Sequence, residues 1–241
     1  MKAESLSANP ALDEAFAHLA RYATGSGRGG LVPIDEAVGR ALDDAPLRAT
    51  LEQRLLTSLS ASPSVEAGYY ICEKLRFIGS SAAVPVLVRL LSDPALGDIA
   101  RGTLEVLPAV EVSGALRREL PKLEGSMKIG AIHALGRQAD PENVPVLARL
   151  SKETDVAVAA AAVAALGNLG SLAAAEALRR LLDQPRPELR LAIGQAALDA
   201  AAGLLKTGHP SEAKAIYRTL TESGWPEVVV RAARHGLESV S

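Results

Sequence analysis

Apolar residues along this chain recur at intervals of three and four, which is the interval of a helix face and not of a strand. Val84, Leu87, Leu90 and Leu91 form one such run, and Ile129, Ile132 and Leu135 form another. Leu51, Leu55 and Leu59 predict a helix from about Leu47 to Ser60, and an opening helix is predicted over Ala11–Tyr22. The stretch ATGSGRGG breaks that first helix, and Pro33 then suits the first position of a helix through IDEAVGRAL. From about Ser64 the punctuation becomes periodic. First helices are predicted to end at FIG (Gly79), VLP (Pro108), ALG (Gly136) and ALG (Gly167), at steps of 29, 28 and 31 residues. A glycine after a leucine is expected to close its helix by taking the left-handed conformation. A second helix follows each break, and polar turns such as LSDPALGD, SKETD and LDQPRPE end each unit. No segment sustains the alternation of a strand.

The second helices carry a further regularity. Arg89, Arg118, Arg149 and Arg180 are 29, 31 and 31 residues apart, Arg218 follows 38 later, and each has a leucine or isoleucine two places before it. A period near 30 with a fixed apolar frame is the signature of a stacked repeat. The chain is therefore expected to be all-α, an α-solenoid of six or seven antiparallel helix pairs in one continuous domain, 1–241. Within it, 1–63 form divergent capping helices, 64–186 the regular repeats and 187–241 the C-terminal capping hairpins.

The segments IGSSAAVPVLVRLLSDP, LGRQADPENVPVLARLSKETD and LGNLGSLAAAEALRRLLDQP carry a resemblance. They resemble HEAT repeats, and among these the bacterial subclass similar to phycobilisome lyases. The match runs from about Gly79 to Leu182. Pro108 and Pro121 depart from the pattern, and Pro121 is expected to end or kink its helix. LLKTGHPSEAKAIYRTL is similar to one tetratricopeptide hairpin through Gly208, Ala213, Tyr217 and Leu220. The HEAT resemblance implies a right-handed superhelix whose second helices line the concave side.

Composition narrows the function. With 48% hydrophobic residues, 241 residues supply ample core. Aromatics are only 3% and the formal net charge is −2, against the basic, aromatic-bearing surface expected of a nucleic-acid binder. Cys72 is the one cysteine and reads as a buried small hydrophobe. The N-terminus lacks the apolar core of a signal peptide and no run of about 18 apolar residues occurs, so a cytoplasmic protein without a membrane span is expected, although an exported parent with a trimmed leader stays open.

No catalytic centre, cofactor or metal site is predicted. His18, His133, His209 and His235 are scattered without ligand spacing. Acid pairs such as Asp35–Glu36 read as solvated surface, and Asp93, Asp98, Asp140 and Asp155 as helix caps. The arginine row alone stands above this background. Guanidiniums in register suit bidentate recognition of carboxylates or phosphates, so Arg89, Arg118, Arg149, Arg180 and Arg218 form a candidate binding surface, expected to take a protein partner with an acidic face. The plainer reading pairs them locally: Arg89 with Asp93, Arg149 with Glu153, Arg218 with Glu222 and Arg180 with Glu176. The expected function is a non-catalytic protein-interaction scaffold. The alternatives are an accessory protein similar to bilin lyases, a HEAT-like DNA-repair glycosylase, or an interaction module of a larger exported bacterial protein.

Overall fold

The structure, a computed structural model, describes residues 9–61, 64–107, 109–138, 140–222 and 224–240. All regular structure among them is helical, as the apolar spacing requires. Pro108 and the first eight residues, on which the expected second break and the absence of a leader rest, lie outside the described residues. The chain divides into two compact units, Met1–Ala115 and Leu116–Ser241.

The first unit holds α1 (Pro10–Leu19), α2 (Val32–Ala41), α3 (Ala45–Ser60), α4 (Val65–Ile78), α5 (Val84–Leu90) and α6 (Gly97–Val106). Their starts follow from local chemistry. Asn9, Asp44 and Ser64 accept hydrogen bonds from Leu12 N, Leu47 N and Ala67 N at 3.0–3.1 Å, satisfying amides that have no partner within the helix. α1 is shorter than predicted. Beyond Leu19 the bonds tighten to the three-residue type, with Arg21 N to His18 O and Tyr22 N to Leu19 O, which takes Tyr22 out of the helix.

Polar groups then tie these helices together. The Tyr70 hydroxyl donates to Asp35 Oδ1 at 2.9 Å, and Lys74 Nζ pairs with the same oxygen at 2.8 Å. Asp35, expected to be solvated surface, therefore links α2 to α4. Glu52 is buried on α3 and accepts from Ser80 N at 2.7 Å and from its hydroxyl at 3.0 Å. Cys72 is fully buried, as expected, and burial pushes its thiol up to about 12.

α7 (Ala109–Glu119) spans the unit boundary. Pro121 ends it as expected: the helix gives way to a 3-10 turn over Leu120–Lys122. The second unit continues with α8 (Gly125–Arg137), α9 (Asn143–Leu150), α10 (Val156–Leu169), α11 (Leu172–Asp183), α12 (Arg190–Lys206), α13 (Pro210–Thr221) and α14 (Glu227–Ser239). First helices stack on one another, α8 on α10, α10 on α12 and α12 on α14, while α9 packs on α11.

The leucine–glycine signal has a different cause from the one predicted. Gly136 and Gly167 do not close their helices: α8 runs on to Arg137 and α10 to Leu169. They are sites of close approach. A Cβ on Gly136 would lie 2.6 Å from the Ala165 Cα, and one on Gly167 would lie 2.7 Å from the Ala196 carbonyl oxygen. Neither leaves room for a side chain. The left-handed residue that ends α10 is Gly170, at φ 55° and ψ 19°. Gly79 ends α4 in an extended conformation, at φ −70°. The ALG motif thus marks where one repeat presses against the next.

Candidate interaction surface

Each second helix places its arginine at one phase. Leu87, Leu116, Leu147, Leu178 and Ile216 are buried, and the residue two places on is Arg89, Arg118, Arg149, Arg180 or Arg218. Two residues advance the helix by about 200°, away from the buried side chain. All five arginines are exposed, on α5, α7, α9, α11 and α13 respectively.

Two of their four expected acidic partners are engaged elsewhere. Asp93 Oδ1 accepts from Ala95 N at 2.8 Å and Leu96 N at 2.9 Å and so shapes the turn before α6. Glu153 pairs with Lys128 at 3.2 Å. Glu176 alone meets its predicted arginine, Arg180, at 3.5 Å, and it is also clasped by Arg179, whose Nε and Nη2 donate at 3.0 and 3.1 Å. The hydrogen bond from Arg179 holds the Glu176 carboxyl below the usual carboxylate range. Among the described residues no ion pair holds Arg89, Arg118, Arg149 or Arg218. The structure thus removes most of the local neutralisation that the sequence suggested.

Other arginines do structural work that the sequence did not single out. Arg117, one place before Arg118, turns inward and donates to Asp140 Oδ2 and to Asn143 Oδ1, both at 2.6 Å. Asn143 is fully buried and donates to Leu135 O at 2.9 Å. Asp140 also accepts from Glu142 N at 3.0 Å, so its predicted turn role is one of two. Arg186 reaches Glu153 O at 2.6 Å and Arg190 reaches Gly224 O at 2.5 Å, each clamping the turn of another repeat. The one available signal was the doublet Arg117–Arg118, repeated as Arg179–Arg180. In the first pair Arg117 turns inward and Arg118 faces water, whereas Arg179 and Arg180 are both exposed and share Glu176.

The remaining candidates stay apart. His18 Nε2 lies 3.2 Å from Gly27 O, His209 Nδ1 lies 3.2 Å from the Thr207 hydroxyl, and His235 lies 3.9 Å from Glu238. Among the described residues no three His, Cys, Asp or Glu side chains come together as a metal site. Asp155 caps α10, accepting from Ala157 N and Val158 N, whereas Asp98 pairs with Arg101 at 3.5 Å. Among the same residues no helix is long and apolar enough to cross a membrane.

With stacked helix pairs and an in-phase second-helix arginine in place, comparison with known proteins is informative. Residues 115–199 match the family model described as HEAT repeats. This stretch is similar to HEAT-repeat sequence. HEAT repeats are commonly protein-interaction scaffolds, and a solenoid of such repeats is typically non-catalytic. No curated protein matches the chain. Among solved structures, the crystal structure of an engineered protein is similar at 20% identity and a TM-score of 0.41, over 86% of this chain and 96% of that one. Human deoxyhypusine hydroxylase, solved in complex with glycerol, is similar at 18% identity and a TM-score of 0.27, over 88% of this chain and 98% of that one. Likenesses at these scores carry no argument about activity.

Proposed function

We propose that the protein is a non-catalytic interaction scaffold whose HEAT-type second helices present arginines to a protein partner with an acidic surface. The partner would lie on the concave side that the family resemblance implies. The observation that carries this reading is the freedom of the guanidiniums. Arg89, Arg118, Arg149 and Arg218 are exposed at one helical phase, and the acids that were expected to quench two of them, Asp93 and Glu153, serve backbone amides and Lys128 instead. An exposed arginine without a partner keeps its forked donors available to a carboxylate, which it can hold bidentately.

The test is capture from the native cell with the whole chain as bait, compared with Arg149→Glu/Arg180→Glu. A specific partner should lose about tenfold or more in affinity with the double variant and should bind more weakly as salt rises, while helicity by circular dichroism stays the same. Equal capture by both baits, or binding that ignores salt, would overturn the reading.

A further inference from the structure

One face of α11 and one face of α13 wall a cleft of about 260 Å³. Its α13 wall runs from Glu212 to Thr219 through Ala215 and Ile216, a spacing that makes a single stripe on the helix. The floor is apolar, formed by Leu172, Ala175, Leu182 and Ile216. Leu172 is 46% exposed, so water meets a large apolar side chain directly. Liquid water takes up about 30 Å³ per molecule, which gives the cleft room for a ligand of roughly nine non-hydrogen atoms. Sites for drug-sized ligands enclose about 300–1,000 Å³, so this one suits something smaller.

Most of the polar side chains that line the cleft are already engaged. Arg179 Nε and Nη2 donate to the two carboxylate oxygens of Glu176 at 3.0 and 3.1 Å, so these two charges cancel. Arg180 also reaches Glu176, from outside the lining. The Thr219 hydroxyl donates to Ala215 O on its own helix at 3.3 Å. Glu212 remains. It lies exposed in the first turn of α13, and among the described residues no ion pair or hydrogen bond holds its carboxylate. The lining thus combines an apolar floor with one unanswered negative charge. Neither Arg180 nor Arg218 belongs to it, so the cleft is separate from the arginine row.

We infer that this cleft is a binding site for a small hydrophobic amine, whose apolar body covers the floor and whose ammonium group meets the Glu212 carboxylate. This goes beyond the scaffold reading and does not depend on it. Affinity comes from the body, because covering Leu172 and the floor removes apolar surface from water. Selection comes from the head. An ammonium gains a charge-assisted hydrogen bond to Glu212, a hydroxyl gains a weaker one, and a carboxylate is repelled. Glu212 is exposed, so the preference for positive charge is modest and falls as salt rises.

The test titrates the full chain with 2-phenylethylamine, which is of this size, and with 2-phenylethanol and phenylacetate, followed by the chemical shifts of backbone amides. The amine should bind about three- to tenfold tighter than the alcohol and should move amides of α11 and α13. Phenylacetate should bind more weakly than the alcohol. Glu212→Gln, at an exposed position without a partner, should leave the fold intact and bring the amine down to the level of the alcohol. Ala215→Trp, at an exposed cleft position on α13, should fill the cleft and weaken amine and alcohol alike by roughly tenfold or more. Equal binding of amine and alcohol, an amine advantage that survives Glu212→Gln, or shifts confined to other helices would overturn the inference. So would tighter binding of a blocked peptide that carries lysine beside phenylalanine, since the occupant would then be a protein segment. A dimer in sedimentation that Ala215→Trp dissolves would equally sink it, by making a second copy the occupant.

Discussion

In Leu116–Ser241 α8 and α12 each touch α10 backbone to backbone. Gly136 lies against Ala165 and Gly167 against Ala196, and any side chain at these glycines would collide with main-chain atoms. In Met1–Ala115 the helices meet through side chains. Tyr70 and Lys74 reach Asp35, Glu52 reaches Ser80, and a Cβ on Gly68 would meet only the ends of the Leu96 side chain. The difference teaches why the family pattern is clear in one unit and faint in the other. Backbone contact permits only glycine or alanine at a fixed phase, so the same letters must recur. Side-chain contact can be made by many residue pairs, so no motif repeats.

The contrast can be tested from its largest expected effect downwards. The core of the first unit should be as closed as that of the second despite its polar ties. Cys72 should then react with a thiol reagent at least a hundredfold more slowly in the native protein than in the unfolded chain. Burial has raised its thiol to about 12 from an ordinary value near 9. The unfolded thiol loses its proton near 9 while the folded one keeps it, so this contribution is complete below pH 9 and is lost as pH rises toward 12. Immediate labelling of the native protein would show an open first unit.

Gly167→Val comes next. With 2.7 Å to a carbonyl oxygen, α10 and α12 must separate, at a cost of about 3 kcal/mol or more. At this chain length that is a fall of roughly 6–12 °C in Tm. A melt within 2 °C of wild type would break the account of backbone contact. Asn143→Ala should cost about 1–3 kcal/mol in denaturant unfolding, because it strips a buried acceptor from Arg117 and removes one of the two donors to Leu135 O, leaving only Gln138 N. A neutral outcome would mean that the second unit needs only its small residues. Tyr70→Phe, the matching change in the first unit, should cost about 1 kcal/mol, since one hydrogen bond to a part-exposed carboxylate is lost. If it cost as much as Gly167→Val, the two units would not differ as described. The smallest effect should be a gain. Gly39 lies inside α2 with nothing within 4 Å of its would-be Cβ, so Gly39→Ala should stabilise by about 0.5–1 kcal/mol. Destabilisation there would reveal a close contact in the first unit.

The all-α class, the alternation of first and second helices and the single phase of the five arginines were legible in the sequence alone. All three depend on spacing within one helix, which apolar periodicity and local capping encode directly. Other features were decided between helices. Asp35 looks like surface until Tyr70 and Lys74 arrive from α4. Glu153 sits four residues from Arg149 yet pairs with Lys128, 25 positions away in the chain. Arg117 and Arg118 are indistinguishable as letters, and only the packing of α7 near α9 turns one inward and leaves the other in water. The leucine–glycine motif was seen, but its cause was not, because a left-handed turn and a close helix crossing both call for glycine. The cleft between α11 and α13 is tertiary in the same sense. It depends on how far one repeat stands from the next, a distance set by contacts among many residues and written in no single stretch of the chain.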